Sequence, residues 1–245
     1  MKWYPTPSYL LKRKVIIDAL QKTEARCFLE VGCGAGDLLL ALDGAGYRGL
    51  GIDISDDAIA IAQSHQLSNN IRVEKRDIAE IEEEFDAVIA SEVLEHWEDD
   101  LGFIRLLVDR IIPGGWLLLT VPAHQDKWGA NDDFCGHVRR YEKQELIDKL
   151  TLSGLGSIRV YSYGVPLYNL MKPFYDRAIV RQMKNKAQQD ERTRNSGGMW
   201  LFTDMSGIFR LLFNDLTMLP FYLLQRLFFN SDLGNGYFAI ARKPG

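Results

Sequence analysis

Apolar residues along this chain fall into short runs, and stretches of helical period separate one run from the next. Cys27 to Val31 is such a run, the pattern of a strand buried on both faces, and Leu38-Leu39-Leu40-Ala41-Leu42 then opens a helix. Tyr47 to Asp53 reads as a second strand, Asp56 to His65 as a helix, and Ile71 to Glu74 as a third strand. Phe85 to Ala90 predicts a fourth strand, Asp99 to Ile112 a helix, Pro113 to Trp116 a turn, and Leu117 to Pro122 a fifth strand. Glu142 to Leu152 predicts another helix, Ser157 to Tyr161 a sixth strand, and Gly236 to Arg242 a last one. The spacing gives a right-handed β-α-β series and an α/β, doubly wound sheet.

In a sheet of this kind ligands bind beyond the carboxyl ends of the strands, so the residues at those ends matter most. The first strand runs into Gly32, Gly34 and Gly36 at alternate positions, a bend that lets backbone approach a ligand closely. A dinucleotide site wants G-x-G-x-x-G with a pyrophosphate on the helix N-terminus, but the third position of that register is Asp37, whose carboxylate repels phosphate. Glu30, two residues before the first glycine, suits a cation instead. The second strand ends in Asp53, 23 residues after Glu30, close to the offset at which an acid reaches a ribose. Its two oxygens can accept both vicinal hydroxyls, while Ser55 is better placed to cap the helix that follows.

The stretch Phe28 to Asp37 resembles motif I of the class I S-adenosylmethionine-dependent methyltransferases, and the resemblance extends to Ser91-Glu92-Val93-Leu94-Glu95-His96 at the end of the fourth strand. It covers about residues 26–163 and 236–243, and it is similar to the quinone-biosynthesis-like small-molecule group. The resemblance implies a Rossmann-like seven-stranded sheet of order 3-2-1-4-5-7-6 with the last strand antiparallel. It also implies S-adenosylmethionine as cofactor and S-adenosylhomocysteine as product. The cofactor-binding residues it implies are Glu30, Gly32, Cys33, Gly34 and Gly36 from the bend, Asp53 and Ile54 from the second strand tip, Asp77 and Ile78 from the third, and Ser91 and Glu92 from the fourth. Glu30 would lie near the amino-acid part, Asp77 would accept from the adenine amino group, and Ile78 would pack on the ring.

Composition narrows the partners. With 245 residues the chain can bury one core plus an appended subdomain, and a single methyltransferase domain over 1–245 is expected. A net charge of -4 and the lack of a basic stripe argue against nucleic acid. Cys27, Cys33 and Cys135 form no C-x-x-C, which fits a reducing, cytoplasmic setting; no signal peptide and no membrane span is predicted. Residues 1–24 predict an arm and a helix capped by Ser8 and running to Gln21, with Trp3 and Tyr4 either lining a substrate or packing on the core. Residues 165–232 form an insert of two aromatic-rich blocks, Val165 to Val180 and Met199 to Phe229, around a polar stretch, Arg181 to Gly198, that reads as mobile. The insert is open to three readings: a helical lid, a homodimer face, or a peripheral membrane contact.

An in-line methyl transfer to a hydroxyl, an amine or an acidic carbon leaves a proton to be removed, and histidine is suited to take it. His137 and His96 are the first candidates and His124 the third, the long polar connection 123–141 being expected to hang over the pocket. A metal-assisted alternative uses Glu92, Glu95, His96 and His137, whose spacing resembles the small-RNA 3′-end methyltransferases; no metal ligand is assigned on that ground, because the same segment also resembles the quinone-biosynthesis O-methyltransferases. The acceptor is expected to be a small apolar or amphipathic molecule. A cofactor-binding scaffold without catalysis is the reading from a different class.

Overall fold

Strands that are apolar on both faces need helices on both sides, and the computed structural model, which describes residues 5–185 and 212–245, provides them. The parallel strands are β1 (Cys27–Val31), β2 (Arg48–Asp53), β3 (Ile71–Lys75), β4 (Phe85–Ser91) and β5 (Ile111–Pro122). β6 (Gly156–Tyr163) and β7 (Gly236–Arg242) complete a seven-stranded sheet of order β3-β2-β1-β4-β5-β7-β6, with β7 antiparallel to both neighbours. This is the expected order. Because β1 lies between β2 and β4, the chain reverses its direction of winding there, and the glycine bend after β1 opens at that switch point.

The helices are α1 (Pro7–Leu20), α2 (Asp37–Gly44), α3 (Asp56–Gln63), α4 (Asp100–Asp109), α5 (Ala130–Cys135), α6 (Lys143–Leu152), α7 (Leu167–Asn185) and α8 (Asp215–Arg226). One buried layer packs Leu29, Leu50, Val88 and Leu119 against α4 and α6. The layer on the other face joins Phe28, Leu39, Ile89 and Phe238 to Leu10, Leu11 and Val15 of α1 and to Met218 and Tyr222 of α8. α8, in the described part of the insert, is therefore part of the core through α1. Among the described residues no helix is long and apolar enough to cross a membrane.

Several boundaries differ from the expectation for local reasons. Thr6, not Ser8, caps α1, its hydroxyl accepting from the Tyr9 amide at 3.2 Å, because Pro7 is preorganised for the first helical position. β5 absorbs the Pro113–Trp116 turn as an irregularity in its pairing with β4. The long connection after β5 is tied down by a bridge between Ala123 and Tyr141 and contains α5. Trp3, Tyr4 and most of the Arg181–Gly198 stretch lie outside the described residues, as does the start of the second aromatic block.

Candidate active site

The carboxyl ends of β1, β2 and β4 border a cavity of about 570 Å³, within the range of small-molecule sites. On its cofactor-like side, the bend after β1 is pinned by the Gly32 and Cys33 amides, both donating to the Ile52 carbonyl at 2.9 Å. Gly32 has φ +70°, and a Cβ there would stand 2.6 Å from a Val93 methyl, so only glycine fits. Asp53 steadies the same bend, accepting from the Gly34 amide at 2.9 Å through one oxygen and from the Ser55 amide at 2.9 Å through the other. Each oxygen keeps a further lone pair for a ligand hydroxyl. Ser55 caps α3.

All eleven residues that the sequence assigns to cofactor binding border this cavity, from Glu30 on β1 to Ser91 and Glu92 on β4. Glu30 is buried and its Oε2 has no partner, while burial, then Asp37 and Asp53, push its carboxyl well above the usual carboxylate range. A donor or a cation brought beside it would relieve both conditions. Ile54, 59% exposed, and Ile78, buried, both border the cavity and offer apolar surface for a flat ring. Asp77 also caps a short 3-10 turn through the Ala79 amide.

At the other end, Glu92 adopts φ +57°, a strained backbone for a non-glycine residue, and its Oε1 accepts from the Tyr163 hydroxyl at 2.8 Å. Burial raises the Glu92 carboxyl, but the Lys12 ammonium at 3.9 Å and the Tyr163 hydroxyl outweigh it and hold it below its ordinary value. Behind this wall Glu95 is 0% exposed, and neither of its oxygens has a hydrogen-bond partner. Burial, reinforced by the charge of Glu92, pushes its carboxyl well up. His137 brings Nε2 to 3.7 Å from Glu95 Oε1, and the His96 ring lies edge-on to it at 5.0 Å. One ligand atom from each of Glu95, His96 and His137 lies within 4.8 Å of the others. Desolvation, and then the neighbouring His137, lower the His96 pKa.

His124 does not border the cavity. Its ring lies beside Tyr237 and between Glu142 and Asp232, at 3.3 Å and 3.7 Å. Tyr9 and Lys12 of α1, Tyr163, Tyr168, Cys135 and Asn235 border the cavity without having been assigned from the sequence. The carboxyl-edge rule applied to β6 would have found Tyr163, and the three-residue spacing of Tyr9 and Lys12 on one helix face would have grouped them.

A family model described as a methyltransferase domain matches residues 9–158. The chain belongs to that family, and its fold and cleft are those of a class I S-adenosylmethionine-dependent methyltransferase. It is 36% identical over 110 residues to a ubiquinone biosynthesis O-methyltransferase of Hydrogenovibrio crunogenus, covering 42% of this chain and 46% of that one. The chain thus spans a little under half the length of the curated relatives it matches. A putative sarcosine dimethylglycine methyltransferase from Galdieria sulphuraria superposes with a TM-score of 0.63 at 14% identity, over 96% of this chain and 86% of that one. Phosphoethanolamine N-methyltransferase 2 of Haemonchus contortus, in complex with S-adenosylmethionine, gives 0.60 at 16% identity over 96% and 52%. These likenesses concern the fold alone.

Proposed function

We propose that the protein methylates a hydroxyl oxygen of a small amphipathic acceptor, with His137 as the group that receives the hydroxyl proton. The observation that carries this reading is that His96 and His137 meet at the cavity wall, with Glu95 buried behind them and one ligand atom of each within 4.8 Å of the others. S-adenosylmethionine, when bound, supplies an activated methyl group on a sulfonium. Glu30 and Lys12 would hold its charged amino-acid part, Asp53 its ribose, and Asp77 with Ile54 and Ile78 its base. The protein's own work is then to line up the acceptor and to accept one proton. Glu95 Oε1, 3.7 Å from His137 Nε2, stands where its carboxylate would stabilise the resulting imidazolium.

Two further features support an amphipathic acceptor with oxygen as its methylated atom. The curated relatives are named O-methyltransferases. Leu216, Phe221, Leu223 and Leu227 on and just after α8 are exposed, Leu227 by 80%, and would suit an apolar tail or the lipid surface that carries it; a second copy of the chain is the alternative cover. The test is transfer of a labelled methyl group to a panel of phenolic and aliphatic hydroxyl acceptors. Product methylated on oxygen, with kcat reduced about 10²- to 10⁴-fold in His137→Gln, is expected. Transfer to nitrogen or carbon only, or an unimpaired variant, would remove the reading.

A second reading has a specific observation behind it. The buried Glu95 carboxylate without a hydrogen-bond partner, beside two imidazoles, is a donor set suited to a divalent cation that would acidify the acceptor hydroxyl. Turnover lost on exhaustive chelation and regained with a divalent metal would favour it over a simple base.

A further inference from the structure

His137 is held from behind by a charged network that the reaction itself does not touch. Its Nδ1 lies 2.9 Å from Asp132 Oδ1, and the same oxygen accepts from Arg140 Nε at 2.9 Å. Asp132 Oδ2 takes the Gly129 amide at 2.8 Å, and the His137 amide donates to the Asp132 carbonyl at 3.0 Å. Arg140 in turn donates through Nη1 to the Ala123 carbonyl at 2.8 Å and to Asn235 Oδ1 at 3.4 Å. Asp132 is wholly buried and Arg140 nearly so. The network therefore links α5, the end of β5 and the start of β7 to one imidazole nitrogen.

An ionised carboxylate can only accept hydrogen bonds, and the guanidinium can only donate them. With Arg140 and the Gly129 amide already donating, the atom of His137 that faces Asp132 must also bring a proton. Burial raises the Asp132 carboxyl, but the His137 hydrogen bond and the Arg140 charge more than offset this and keep it below its ordinary value. A buried pair of opposite charges adds little net stability over an apolar pair of the same volume. What it does supply is direction, as the partners behind metal- and proton-handling histidines do.

We infer that Asp132 and Arg140 are positioning residues that fix the neutral His137 ring with its proton on Nδ1, leaving the Nε2 lone pair facing the Glu95 and His96 side of the cavity. The inference rests on the proposed role of His137, and it holds whether Nε2 takes a proton or binds a cation. It assigns a task to two residues, Asp132 and Arg140, that do not border the cavity.

The test is a long-range ¹H–¹⁵N correlation spectrum of the full chain labelled at histidine, at a pH where the rings are neutral. With only four histidines, His137 is assigned by its disappearance in His137→Gln. In the wild-type protein the expected pattern is a protonated Nδ1 and a bare Nε2. In Asp132→Ala the ring should populate both tautomers, with kcat reduced at least tenfold while affinity for S-adenosylhomocysteine stays within about threefold. Arg140→Gln should give the same direction of change with a smaller loss, because it leaves the carboxylate in place. A wild-type ring protonated on Nε2 overturns the inference without reference to any variant, and so does an Asp132→Ala protein that keeps the Nδ1–H form and full kcat. If the wild-type tautomer is as expected but His137→Gln retains full activity, the positioning stands and the proposed function of His137 falls.

Discussion

Asp53 reaches back from the tip of β2 to accept the amide proton of Gly34 at 2.9 Å. The acid that the sequence offers for a ribose is thus also a strut of the bend that would receive the rest of the nucleoside. Asp53→Ala removes an acceptor for ligand hydroxyls and loosens Gly34 at the same moment. The expected outcome by calorimetry is a loss of S-adenosylhomocysteine affinity of about 30- to 1,000-fold, two charge-assisted hydrogen bonds of about 1–2 kcal/mol each. Asp53→Asn, which keeps an acceptor for Gly34, should fall between the two.

Arg13 on α1 joins the bend to the insert, donating to Asp37 at the start of α2 and to Asp215 at the start of α8. Burial raises the Asp37 carboxyl above its ordinary value, and Arg13 offsets only part of the rise. Removing the guanidinium in Arg13→Ala leaves a buried carboxylate unpaired, a loss of about 3 kcal/mol and a Tm lower by roughly 6–12 °C at neutral pH. As pH falls and Asp37 takes up a proton the deficit should shrink, and Asp37→Asn added to Arg13→Ala should recover part of it. A deficit independent of pH would mean that the arginine acts only through packing.

Removing the charge of Glu95 should act in the opposite direction, as a gain in stability. Its folded pKa is raised, so the stability linked to it is complete below the unfolded value near 4.5 and is lost as pH rises toward the folded value. Glu95→Gln does not titrate. It should therefore be more stable than the wild-type protein by about 1–3 kcal/mol near neutrality, with the gap closing as pH is lowered to about 4.5, while methyl transfer drops sharply. Thermal melts across that range decide the matter. If a divalent cation restores the wild-type protein above the variant, the carboxylate is serving the metal.

His124 and His137 sit in one connection thirteen residues apart, and of the two only His137, which the sequence ranks ahead, borders the cavity. His124→Gln should leave kcat within about threefold, in contrast to the loss expected of His137→Gln, because its ring packs on Tyr237 outside the cavity. Equal losses in both variants would show that the connection acts as a whole.

Much of the architecture was legible because it rests on local rules. Apolar runs such as Cys27–Val31 cannot be left in water, and the glycines that follow allow a bend that bulkier residues forbid. The right-handed winding follows from handedness, and the place of the acids at strand ends from where parallel sheets leave their backbone ends free, whereas the strand order was implied by the resemblance. What escaped the sequence was contact between distant segments. Tyr9 and Lys12 on α1, and Tyr163 on β6, border the same cavity as Glu92, and α8 packs on α1 some two hundred residues away.

The sequence by itself determined the series of strands and helices, the glycine bend and the acids beside it, since each is dictated by period, spacing or backbone sterics within a few residues. Only the tertiary structure decided that His137 and not His124 turns to the cavity, and that Glu95 stands buried beside it without a hydrogen bond. Orientation and desolvation are set by which elements pack together, and a linear pattern carries neither.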